Sequence, residues 1–221
     1  MPKMEDALMR LFREAGLNVR TGERPQLTAG NLSESGLMSE VQRVYGALGG
    51  RLSTPPLRVG QFDMSVEDTP VELDESRHFN RYRTTTLDST IYSRVTGFDA
   101  AYYRNLCESR ERDCLKDAGF GGHWSNRSCE EQFGPAAQPG MLDGKGAARW
   151  KQRAFYDFLK DLTSVLELRA VVRFAMWEEP VDGTGDTLGG HLLADAPGDW
   201  RRELVRLFQA RASQAVERGS G

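Results

Sequence analysis

The stretch QFDMSVEDTPVELDESRHFNRYR, residues 61–83, switches the hydrophobic period of the chain from that of a helix to that of a strand. Phe62, Met64 and Val66 alternate with Asp63 and Ser65, and after EDTP the pattern resumes with Val71 and Leu73 against Glu72 and Asp74. Successive side chains of a strand point to opposite faces. The run therefore reads as a β-hairpin with its apolar residues on one face and Asp63, Glu72 and Asp74 on the other. Pairing Val66 with Val71 across EDTP respects that parity. Three carboxylates then project side by side, where repulsion drives them toward protonation unless a cation lies between them. A hard divalent ion, Mg²⁺ or Mn²⁺, suits such an all-oxygen donor set. A solvated hairpin face with arginines as counter-charges accounts for the same pattern. His78 lies four residues beyond Asp74. On a turned segment it comes back toward the acids, either to position or deprotonate a water or as an ordinary hydrogen-bonded residue.

Upstream, Leu8, Leu11, Phe12 and Ala15, and then Val41, Val44, Tyr45 and Leu48, predict helices over 4–16 and 36–48, joined by a Gly-, Ser- and Asn-rich connection. Downstream, the spacing predicts helices over 100–119, 147–166 and 199–219, a buried strand over 167–177, and irregular Gly-rich sequence between the first of these helices and the second. This order implies a mixed α/β or α+β core around a small sheet. The chain is expected to form a single domain over 1–221, with 88–146 as a helical and irregular insertion.

A chain of 221 residues, 39% hydrophobic and 28% charged, supports one sizeable core and excludes collagen-like and disordered classes. With a net charge of -3 there is no overall cationic field, so a nucleic-acid surface has to be a local patch. No segment approaches the ~18 apolar residues of a membrane span. The N-terminal segment mixes acids and bases, unlike a secretory signal, and three cysteines fit a reducing compartment. A cytoplasmic protein with no membrane partner is expected.

The candidate patch is GKGAARWKQRAF, with Lys145, Arg149, Lys151 and Arg153. Arg149, Arg153 and Asp157 fall at i, i+4 and i+8 on a helix. With Arg77, Arg81 and Arg83 they form a phosphate-tracking surface, or else a solvated face in which Arg153 pairs with Asp157. Cys107, Cys114, His123 and Cys129 are zinc-type ligands, but Cys107 and Cys114 lie roughly 10 Å apart on one helix. Buried core cysteines therefore fit better than structural Zn²⁺. Trp124, in GGHWSNRS, either stacks on a base or packs, and packing is the weightier reading.

The segment FDMSVEDTPVELDESRHF resembles the core of the PD-(D/E)xK nuclease superfamily, and within it domains similar to the very-short-patch repair endonuclease. Asp63 matches the first acid, Glu72 and Asp74 the acidic pair, and His78 the histidine. RAFYDFLKDL, with Arg153, Asp157 and Leu162, followed by VVRF with Arg173, is similar to the second half. The resemblance spans about 60–90 and 147–177. It implies a restriction-endonuclease-like fold, a mixed central sheet flanked by helices. It also implies Mg²⁺- or Mn²⁺-dependent phosphodiester hydrolysis, most directly of DNA, in repair or defence against foreign DNA. Asp63, Glu72 and Asp74 would be the ligands, His78 would orient the attacking water, and Arg153 and Arg173 would contact or support the phosphate. Two departures stand out: Asp74 occupies the position where the superfamily carries Lys, and the 88–146 insertion has no counterpart. They open an alternative, an inactive nuclease-like scaffold whose insertion contacts a protein partner or a second copy.

Overall fold

The computed structural model describes residues 2–118, 121–179 and 185–218. The elements are α1 (Pro2–Glu14), β1 (Val19–Thr21), α2 (Ala29–Glu34), α3 (Met38–Ala47), β2 (Met64–Val66), β3 (Thr69–Asp74), α4 (Arg81–Leu87), α5 (Ala100–Ala118), α6 (Arg127–Phe133), α7 (Ala148–Glu167), β4 (Val172–Ala175), α8 (Leu188–Ala194) and α9 (Trp200–Arg218). The fold is α+β. Its four-stranded mixed sheet runs β1-β2-β3-β4, antiparallel for the first two pairs and parallel for β3 and β4.

The hairpin forms as expected, but its register differs by two residues. Val66 pairs with Thr69 and Met64 with Val71. The turn is only Glu67–Asp68, both at positive φ (46° and 65°), the left-handed pair of a two-residue hairpin whose twist matches its strands. Thr69 and Pro70 belong to the strand rather than to the loop. A two-residue shift preserves parity, so each side chain keeps its predicted face. It places Asp63, one step before β2, across from Glu72. Phe62 departs from the alternation, lying beyond the strand with Lys160 Nζ 5.5 Å from its ring centre.

The two faces of the sheet differ in kind. Met64, Val66, Val71, Leu73, Val172 and Phe174 pack against Leu8 and Phe12 of α1, Leu188 and Leu192 of α8, and Trp200, Leu204 and Phe208 of α9. This face is an ordinary apolar seal. The other carries Glu72, Asp74 and Arg173, all buried, and meets Asp157, Lys160 and Asp161 of α7. Helix α7 is thus buried on two stripes. Trp150, Ala154, Phe155, Phe158, Leu159 and Leu162 enter the apolar cluster of the surrounding helices, while its charged stripe lies against the sheet.

Segment 88–146 is built into this framework rather than appended to it. Tyr103, Leu106, Cys107 and Cys114 of α5, Trp124, and Cys129 and Phe133 of α6 share one apolar cluster with α7. Thr96 and Gly97 run along the free edge of β4, their carbonyls accepting from Val171 N and Arg173 N at 3.4 Å. Gly97 has φ +104°, and a Cβ there would stand 2.3 Å from the Val171 carbonyl oxygen, so only glycine fits. Among the described residues, no helix is long and apolar enough to cross a membrane.

Candidate active site

A cleft of about 390 Å³ opens where the hairpin meets α7, and it gathers six of the predicted site residues. Asp63 and Glu72 line it from the hairpin, Arg77 and His78 from the turn after β3, and Arg149, Arg153, Asp157 and Lys160 from α7. Glu5 of α1 completes the acidic end.

Each hairpin carboxylate accepts a backbone N–H from the opposite arm of the hairpin. Asp63 Oδ2 accepts from Leu73 N at 2.8 Å, and Glu72 Oε1 accepts from Asp63 N at 3.2 Å. Lys160 reaches across from α7 to put Nζ 2.6 Å from Glu72 Oε1. Asp63 Oδ1 and Glu72 Oε2 receive no hydrogen bond among the described residues. Burial pushes Asp63 up to about 6, against the Leu73 amide and Lys160. Burial likewise raises Glu72 to about 7, outweighing Lys160, with Asp63 and Asp74 pushing the same way. Lys160 is raised too: burial works against its charge, but Glu72, Asp157 and Asp63 hold the proton on. Two crowded, proton-hungry carboxylates with spare oxygens are a donor set that fits a hard divalent cation.

Raised carboxylate pKa values make the folded protein bind protons more tightly than the unfolded chain. The stability that Asp63 contributes is full below its ordinary value of 3.8 and is lost as pH rises through about 6. The metal-free protein is therefore expected to lose on the order of 3 kcal/mol between about pH 4 and 7 from this group alone. Asp63→Asn should flatten that slope in urea titrations at successive pH values. A wild-type slope that the variant leaves unchanged counts against a buried, uncompensated Asp63.

Behind the cleft wall lies a buried ionic network. Arg173 Nη1 donates to both Asp74 oxygens at 2.7 and 2.8 Å, and its Nε donates to Asp161 at 2.6 Å. Asp161 also accepts from Arg83 at 2.7 Å and from the Tyr92 hydroxyl at 2.7 Å. His78 Nδ1 lies 2.8 Å from Asp157 and 3.1 Å from Asp74. Burial would raise both carboxyls, but Arg173 and His78 overcome it and hold Asp74 and Asp157 below the ordinary range. Carboxylates only accept, so Nδ1 carries the proton and, in the neutral ring, Nε2 is left as the acceptor. Asp74, His78 and Asp157 also form the one described group whose ligand atoms lie within 4.8 Å of one another. An ion there would have to displace Arg173 from Asp74.

Several assignments change as a result. Asp74 does not line the cleft with Asp63 and Glu72: Arg173 and His78 hold its oxygens, within the group it forms with His78 and Asp157. Arg173 is wholly buried and touches no surface on which nucleic acid could lie. Arg83 is buried with it. Arg81 is paired with Glu111 and Asp143, Lys151 lies over the Tyr82 ring, and Lys145 is exposed outside the cleft. The four zinc-type residues do not come together: Cys107, Cys114 and Cys129 are free thiols in the core, and His123 faces Arg77 at 2.8 Å. Burial pushes the Cys107 thiol up to about 11 and that of Cys114 to about 12, which disfavours thiolate ligation. Trp124 is buried edge-on to Trp150, its indole N–H donating to Ala137 O. Sequence reading leaves Lys160 and Glu5 unassigned. The signal for Lys160 is its place on the α7 stripe with Arg153, Asp157 and Asp161.

Fold and cleft define an α+β protein with a carboxylate–lysine site at the seam between a mixed sheet and a helix. The chain belongs to a family of unknown function, DUF7255, whose pattern matches residues 43–194 and so takes in every cleft residue named above except Glu5. No curated protein and no solved structure matches the chain.

Proposed function

We propose that the protein is a metal-dependent nuclease with a restriction-endonuclease-like core, hydrolysing phosphodiester bonds of nucleic acid, DNA foremost, in repair or in defence against foreign DNA. The observation that carries this reading is Lys160, whose ammonium stands 2.6 Å from Glu72 beside Asp63 in a cleft that also presents three arginines. A helix thereby supplies the cation that the strand lacks at Asp74, which takes away the chief argument for an inactive scaffold. The mixed sheet flanked by helices is the arrangement the family likeness implies.

Asp63 Oδ1 and Glu72 Oε2 are the oxygens that would hold a Mg²⁺ or Mn²⁺ ion, which supplies charge to the phosphoryl oxygens and a more acidic water. Lys160, kept protonated, stabilises negative charge developing on the phosphate rather than accepting a proton. His78, its Nδ1 fixed by Asp157 and Asp74, turns Nε2 to the task of orienting and deprotonating the attacking water. Arg77, Arg149 and Arg153 receive a phosphate of the substrate. The free, buried cysteines suit the reducing cytoplasm in which we place the protein.

Incubating the purified protein with plasmid, single-stranded DNA and RNA, with Mn²⁺ or with EDTA, tests the reading. Mn²⁺-dependent cleavage of at least one substrate is expected. Intact substrates in every arm would remove the catalytic assignment.

A further inference from the structure

We propose that the arginine-lined wall of the cleft is a subsite for a terminal phosphate, so that the protein engages nucleic-acid strand ends carrying a phosphate monoester rather than the middle of a continuous strand. The proposal rests on the nuclease reading above and adds the substrate class.

Charge is the first argument. Arg77, Arg149 and Arg153 line the cleft together, and Arg77 lies 3.4 Å from Glu75. Asp157 is committed to His78 and Arg173. Arg149 hydrogen-bonds Gln152, a neutral side chain. Arg153 is half-buried and has neither an ion pair nor a hydrogen bond among the described residues. Burial, together with Arg77 and Arg149, disfavours its charge, with Asp157 pulling the other way. Arg149 and Arg153 have no ion pair among the described residues, so two guanidiniums stand on the cleft wall without a paired carboxylate. A phosphate monoester carries about -1.5 to -2 at neutral pH, whereas an internal diester carries only one negative charge. The monoester therefore matches these two guanidiniums. Its three terminal oxygens can also accept from several guanidinium forks at once.

The second argument is where the cations stop. A protein that follows a strand presents a row of basic residues along the backbone path. Here the other candidates do not continue the cleft: Arg81 is neutralised by Glu111 and Asp143, Lys151 covers Tyr82, and Arg173 is buried. Of the basic residues singled out in the sequence, Arg77, Arg149 and Arg153 are the ones that line the cleft.

Fluorescence anisotropy in EDTA, with the full chain and labelled single-stranded oligonucleotides ending in a 5′-phosphate, a 3′-phosphate or hydroxyls only, tests this without turnover. One phosphorylated end should bind at least about tenfold more tightly than the hydroxyl-ended strand, the worth of one charged hydrogen-bonded contact. Arg153→Gln should abolish the preference, and Arg81→Gln, outside the cleft, should keep it. Inorganic phosphate should compete only at concentrations far above the strand's dissociation constant, which separates strand ends from the free ion. Equal affinity for the three strands, or a preference that survives Arg153→Gln, overturns the proposal. A terminal-phosphate preference without Mn²⁺-dependent cleavage would leave this subsite standing and the hydrolase reading fallen, and cleavage without the preference would do the reverse.

Discussion

Replacing Lys160 by Met is expected to slow Mn²⁺-dependent cleavage by at least about 100-fold, the usual cost of removing a charge that acts on the transition state. The ammonium touches Glu72 and has the Asp63 and Asp157 carboxylates among the groups that sustain its charge. Glu72, already raised to about 7 by burial, would then bind a proton at neutral pH and lose its attraction for a cation. Lys160→Arg keeps the charge but broadens the head group, and should recover part of the rate. Initial rates for both variants, with circular dichroism melts to show that each is folded, make the test. A Met variant that cleaves within about threefold of wild type would mean that the lysine is a structural counter-charge and nothing more.

Arg173→Met should act on a different property. Removing this guanidinium strips Asp74 of the Nη1 that serves both its oxygens and Asp161 of its 2.6 Å donor, leaving the buried carboxylates with Arg83, Tyr92 and His78. Breaking one partner of a buried ion pair costs about 3–5 kcal/mol, a large share of a domain's total stability. That corresponds to a fall in Tm of roughly 10 °C or more. Arg173→Lys should not restore it, since a single ammonium cannot serve Asp74 and Asp161 from two edges. Urea unfolding curves decide the matter. A loss within 1 kcal/mol would show that the network contributes little, and a loss of nucleic-acid affinity without a loss of stability would return Arg173 to the surface role read from sequence.

What the sequence discloses and what it hides follow from periodicity. The period-two alternation of residues 63–74 indicates which side chains share a face, and Asp63 and Glu72 both line the cleft. Register is set elsewhere, by the backbone of Glu67 and Asp68, and two residues able to enter the left-handed region give no hydrophobic signal. The same holds for α7. Its spacing shows two stripes, but not that the charged one is buried, because burial depends on a sheet whose β3 strand lies far away in the chain, Glu72 being 88 residues from Lys160. Lys160 therefore reads as one more surface lysine. A clue does exist in VVRFA: a lone arginine inside an apolar strand needs buried acids opposite it, and the acids of β3 and α7 are the available set. Strand β1 has only three residues and no apolar alternation to announce it. Helix α6, capped by Asn126, is short enough to disappear within its Gly-rich surroundings.

The measurement that bears most directly on the central claim is isothermal titration of Mn²⁺ into the wild-type protein and into the Asp63→Asn, Glu72→Gln and Asp157→Asn variants at neutral pH. Binding to the wild type that is lost in Asp63→Asn and Glu72→Gln and kept in Asp157→Asn is the predicted result. Absence of binding, or binding that survives in the first two variants and vanishes in Asp157→Asn, would contradict the account and move any metal chemistry to the Asp74–His78–Asp157 group.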